Sequence, residues 1–125
     1  MKFFYLALLM LFSAHATAHS HSPTGFKHHY VYKDVNTYSF TVENDSRYAA
    51  GFKVYTYDYD RKTNKQTNEK YIGTIPPIKA HENVSFLIDF TVLPSTHIVK
   101  TMCTVLDLDV PFKTKVCSVI EMERR

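Results

Sequence analysis

The chain has 125 residues, a formal net charge of +3 and apolar types at 45% of positions. That length allows one domain and leaves little for a second. Charge so near balance argues against nucleic acid or an anionic membrane as partner. With only three glycines there is no phosphate-cradling loop, and no G-x-S-x-G elbow occurs. His81-Glu82 is followed by Asn83-Val84-Ser85, so the H-E-x-x-H zinc helix is absent as well. The reading is therefore non-enzymatic.

Residues 1–18 read as a secretory signal peptide. Met1 and Lys2 give a positive start, and residues 3–12 (FFYLALLMLF) are an unbroken apolar run. Small residues follow in Ala14-His15-Ala16-Thr17-Ala18, with cleavage points after Ala16 or Ala18. The run is too short for a membrane anchor, which needs roughly 20 apolar residues. The mature chain is expected to be secreted or periplasmic, with no membrane insertion after cleavage. Residues 19–29 read as a polar, His-rich tail, and residues 30–125 as the folded domain.

Short runs rich in Tyr, Phe, Val, Ile and Thr then recur at near-even spacing, with almost no helical period. Strands are expected near 28–34, 37–44, 51–59, 70–75, 83–92, 97–108 and 112–123. Such a series suggests an antiparallel sandwich or barrel. Alternation sends Tyr38, Phe40 and Val42 to one face, and Ser39, Thr41 and Glu43 to the other. Val84, Phe86, Ile88 and Phe90 likewise oppose Ser85, Leu87 and Asp89. Asn44-Asp45-Ser46 reads as a turn and residues 60–69 as a solvated loop. Pro76-Pro77 is read as the stop of the fourth strand.

Cys103 and Cys117 are the two cysteines. An even pair in an oxidising compartment reads as one disulfide, and the spacing is no zinc signature. A tight turn at Asp109-Val110-Pro111 sets Leu108 opposite Phe112. The same register sets Met102 by Ser118, Thr104 by Val116 and Leu106 by Thr114. It also places Cys103 directly across from Cys117, within bridging reach.

The succession Tyr38-Ser-Phe-Thr-Val-Glu-Asn44, Phe52-Lys-Val-Tyr-Thr-Tyr, and Ile78-Lys-Ala-His-Glu-Asn-Val-Ser-Phe86 resembles extracytoplasmic immunoglobulin-like (Ig-like) domains. It is similar to the N-terminal domain of periplasmic pilus chaperones and to bacterial cell-adhesion-related Ig-like domains. The resemblance covers roughly residues 36–108. It implies a seven-stranded antiparallel Ig-like sandwich, with the Cys103–Cys117 bridge joining the last two strands. It also implies work by contact with another protein or a glycan, in cell-surface or pilus-type assembly or adhesion. The subunit-anchoring Arg and Lys of the chaperones match no positions here, so no site residues follow from it.

Two candidate sites come from the residues themselves. If Phe52, Val54 and Thr56 face the core, then Tyr55, Tyr57 and Tyr59 share the opposite face with Lys53. Arg61 and Lys62 lie in the adjoining loop. Tyrosine gives contact area at low entropy cost, so this strip is the first candidate for partner binding. The second is the mature start, where either cleavage point places a histidine third (His19 or His21). A free amine, two deprotonated amides and that imidazole form a square-planar nitrogen set suited to Cu(II) or Ni(II). His28 and His29 follow as possible further ligands. The N-x-S sequons at Asn44 and Asn83 are both candidate glycan acceptors.

Overall fold

The computed structural model describes residues 19–125. The signal segment and both cleavage points lie outside the described residues. Within them there is no helix. The strands are β1 (His19–Ser22), β2 (Gly25–Val31), β3 (Val35–Asn44), β4 (Ala50–Asp60), β5 (Lys65–Ile78), β6 (Asn83–Thr91), β7 (His97–Asp107) and β8 (Lys115–Arg124). They build two sheets, one ordered β1-β3-β6 and the other β2-β8-β7-β4-β5. The count is eight rather than seven. One pair, β2 with β8, runs parallel in an otherwise antiparallel sandwich.

The alternation read from the sequence sets the core. Phe40, Val42, Phe52, Val54, Ile88, Phe90, Met102, Leu106, Ile120 and Met122 are buried between the sheets. Each large side chain fully removed from water contributes about 1.5–3 kcal/mol. Residues one position away point outward, and Leu87 on the outer face is 69% exposed. Register between the last two strands is as expected: Cys103 faces Cys117, Met102 faces Ser118 and Thr104 faces Val116. Beyond the ladder, the Leu106 amide still donates to the Thr114 carbonyl at 3.0 Å. Cys103 and Cys117 are bonded.

Three boundaries differ from the expectation. Residues 19–29, read as a tail outside the sandwich, form β1 and the first part of β2. In the sequence His-Ser-His-Ser, both histidines turn inward and Ser22 faces water. A histidine can be buried when its ring nitrogens find partners. The chain then crosses to the other sheet at Pro23, with the Ser22–Pro23 peptide cis.

The fourth strand runs from Lys65 to Ile78, taking in half of the expected loop and both prolines. β5 is an edge strand, where a missing N–H costs no ladder bond. Its pairing with β4 is broken by three register shifts. At one of them the β5 backbone closes on Gly51, and a Cβ there would sit 3.0 Å from the Ile75 carbonyl oxygen. The tight three-residue turn before the last strand is instead a longer connection, with Phe112 89% exposed.

Two outcomes follow for stability. The disulfide closes a loop with a sequence separation of 14. Reducing it should lower the unfolding free energy by about 2–4 kcal/mol, read by urea titration with and without reductant. Phe52→Ala, at a fully buried position on a central strand, should cost about 3–5 kcal/mol by the same measurement.

Candidate functional site

The outer face of the five-stranded sheet collects the predicted tyrosines. Strand alternation buries Phe52, Val54 and Thr56 and turns Lys53, Tyr55, Tyr57 and Tyr59 outward. Pairing of β4 with β7 and of β7 with β8 sets Tyr55 beside Cys103, which is bonded to Cys117. On the other flank Tyr55 meets Tyr71 of β5, their rings 5.7 Å apart and tilted. Tyr71 is 54% exposed. Nothing in its own run of sequence marked it. The register of the β4–β5 hairpin brings it to the strip, and the bulges hide that register.

Tyr57 differs from its neighbours and is a correction to the strip. It is only 8% exposed. Its hydroxyl donates to Glu69 at 3.1 Å, and the Lys115 ammonium lies 4.8 Å from its ring centroid. Burial and the Glu69 carboxylate together raise its pKa above the usual phenol value. Tyr57 therefore holds the sheet surface together and does not offer free contact area. Tyr59 is half-buried and donates to Asn64 at 2.8 Å across the turn.

Arg61, expected as a solvated loop charge, folds back across the sheet. Its guanidinium donates to Glu121 at 2.8 Å and lies 4.5 Å over the Phe26 ring. His97 Nε2 meets the other oxygen of Glu121 at 2.6 Å. Glu121 is 8% exposed, and two cationic or hydrogen-bonding partners compensate its lost hydration. Lys53 sits 3.9 Å from Asp107, both well solvated. Lys62 stays in the exposed turn, its amide donating to Asp60. Sequence reasoning missed Phe26 and Glu121, because it kept the first outside the fold and the second lies far from Arg61 in the chain.

The four histidines of the metal reading fall in two places, His19 and His21 together on β1 and His28 and His29 on β2. His19 Nδ1 is 2.6 Å from the Thr114 hydroxyl, and its Nε2 is 3.1 Å from the Thr104 carbonyl and 3.0 Å from the Thr104 hydroxyl. A carbonyl only accepts, so Nε2 of His19 carries the proton. His21 Nδ1 is 2.8 Å from the same Thr104 hydroxyl, while its Nε2 is buried without a partner. On β2, His28 meets Glu123 at 3.4 Å, and the His29 ring lies 5.0 Å from that of Tyr38. Among the described residues no group of three or more His, Cys, Asp or Glu side chains gathers.

The sequons also separate. Asn44 is fully buried, its amide nitrogen donating to the Tyr48 and Ile78 carbonyls and its oxygen accepting from Ser46. Asn83 is exposed at the start of β6.

No family model and no curated protein matches the sequence. Solved structures do resemble the fold. The class 5 fimbriae chaperone CfaA superposes with a TM-score of 0.64 at 12% identity, over 86% of this chain and 57% of its own. A structure described as a chaperone–tip adhesin complex of CFA/I fimbriae biogenesis gives 0.59 at 11% identity, over 86% and 57%. The E. coli chaperone DraB gives 0.57 at 8% identity, over 85% and 54%. This chain thus spans a little over half the length of the chaperone chains it resembles. The resemblance to pilus chaperone domains read from the strands is borne out at the level of fold.

Burial lowers the His21 pKa to about 4, with the neighbouring His19 adding to the effect. Burial likewise lowers that of His19, partly offset by the Thr104 carbonyl and Asp45. In the unfolded chain both titrate near the usual 6.5. The unfolded state then binds more protons between those values, so stability is full above pH 6.5 and falls as pH drops toward 4. Urea midpoints measured across that range should show the decline, and His21→Gln should flatten it.

Proposed function

We propose that this chain is an extracytoplasmic, non-enzymatic Ig-like module that binds another protein during surface-structure assembly. The observation that carries the reading is the outer face of the five-stranded sheet. There Tyr55, Tyr59 and Tyr71 lie around a disulfide-bonded strand pair. Rigid aromatic groups on a braced sheet lose little entropy when a partner covers them. Arg61, over Phe26, adds a cation at one end, and Lys53 adds one at the other.

Three further features support it. The disulfide belongs to an oxidising compartment. The signal-like start agrees with export. The chaperone structures share the fold, one of them described together with a tip adhesin. Capture of copper or nickel at the start of the mature chain is the alternative reading, and His19 and His21 would have to leave their contacts with Thr104 to serve it.

The test separates surface from scaffold. Tyr55→Ser with Tyr71→Ser should weaken partner capture by about 2 kcal/mol, roughly thirty-fold, while the melting temperature barely moves. Capture is measured by photo-crosslinking from position 59 in the native host, followed by mass spectrometry of the adduct. Undiminished crosslinking in the double variant would remove the tyrosine face from the interface. Tyr57→Ser, by contrast, should lower stability, because it strips the partner from Glu69 and Lys115.

A further inference from the structure

A second surface lies on the opposite flank, where β3 is only half covered. β6 pairs with β3 along its length, from Val35 to Glu43. On the other side β1 pairs only with residues 41–44 before the chain leaves for the other sheet. The direction of the uncovered groups follows from strand alternation. The Asn44 amide donates to the Glu82 carbonyl, and the Asn44 carbonyl accepts from the His81 amide. Even-numbered residues of β3 therefore aim their N–H and C=O groups toward the β6 side. Odd-numbered ones aim the other way. Glu43 and Thr41 meet β1, whereas Thr37 and Ser39 meet no strand among the described residues.

The space beside Thr37 is a groove of about 560 Å³ between β2 and β3, walled by Tyr30, Tyr32, Tyr38 and His29. Tyr32 is 73% exposed and Tyr30 47%. Tyr38 forms the floor, its ring between those of His29 and Phe90. Among the lining residues Lys33 is a cation and no carboxylate is present. The Arg125 guanidinium lies over the Tyr30 ring at 3.9 Å, adding a second positive group at the rim.

We infer that this notch binds an extended peptide of a partner protein, added to β3 as a continuation of the line begun by β1. Main-chain bonds to Thr37 and Ser39 hold it, as in strand addition to a sheet edge. An apolar or aromatic side chain enters between Tyr30, Tyr32 and Tyr38. A neighbouring carboxylate meets Lys33 and Arg125. The site is separate from the tyrosine face proposed above and stands whether or not that face binds.

The experiment uses amide-resolved hydrogen exchange on the full chain. The probe is an acetylated, amidated heptapeptide of alternating valine and threonine carrying one phenylalanine and one aspartate. In the free protein, Thr37 and Ser39 amides should exchange at least an order of magnitude faster than those of Tyr38 and Phe40. Saturating peptide should slow Thr37 and Ser39 by a similar factor. Methylating the peptide's backbone nitrogens should abolish this, and Tyr32→Ala or replacement of the aspartate by lysine should weaken it severalfold.

Thr37 and Ser39 already protected without peptide would overturn the inference, since the notch would then be filled from within the chain. Protection that rises with protein concentration alone would overturn it too, by making a second copy the occupant. So would equal binding of the N-methylated peptide, or protection confined to β2 amides. Loss of crosslinking at the tyrosine face, with the notch still binding peptide, would leave this inference intact.

Discussion

Two imidazoles on one threonine hydroxyl fix how this chain closes. Thr104 sits on a central strand, and its hydroxyl meets both His19 and His21 of β1. Those contacts tie a strand of the smaller sheet to the middle of the larger one. The chain is then free to cross and lay β2 along β8, covering the edge of the last strand. Everything on that flank depends on this seat. β1 is short because the crossing comes early, and β3 is left half covered because β1 is short.

The same polar seat explains the chemistry of the buried histidines. The His19 ring, held by hydroxyl and carbonyl groups at both nitrogens, is satisfied in its neutral form, and a second proton on either ring would have to enter a buried site. Asp45 is near enough to act on His19 but does not reverse the effect of burial. The outer face solves a related problem in the opposite way. There Glu121 is ionisable and nearly covered, and the sheet supplies Arg61 and His97 to it. One side of the larger sheet thus buries neutral bases, and the other buries a paired acid.

Period-two alternation made most of the sandwich legible. It placed Phe40, Val42, Phe52, Val54, Ile88 and Phe90 on the correct side, because a one-residue slip would have reversed every one of them. The cysteine pair was legible for a related reason: hairpin register and bridging distance had to agree. What escaped were elements whose cue is not hydrophobic. β1 reads His-Ser-His-Ser, whose alternation is clear only if histidine counts as an inward residue. The exposed half of β5 (residues 65–71) carries no buried side chain, so its strand character comes from the partner and not from its own pattern. The tyrosine strip was found through face assignment. The loss of Tyr57 to Glu69 and Lys115, and the arrival of Tyr71, depend on bulged register that no local pattern records.

β5 also shows how one edge of the larger sheet is kept from pairing with another chain. A long, flat, unpaired edge is a template for another chain of the same kind. Here the edge is interrupted by three register shifts, lined with Lys65 and Lys70, and ended by two prolines that offer no donor. Self-templating along that side is blocked at the level of the backbone. The regular, uninterrupted segment of β3 on the far flank is left open by contrast, and it is too short to propagate. A strand added there would meet β1 end to end instead of opening a new edge of full length.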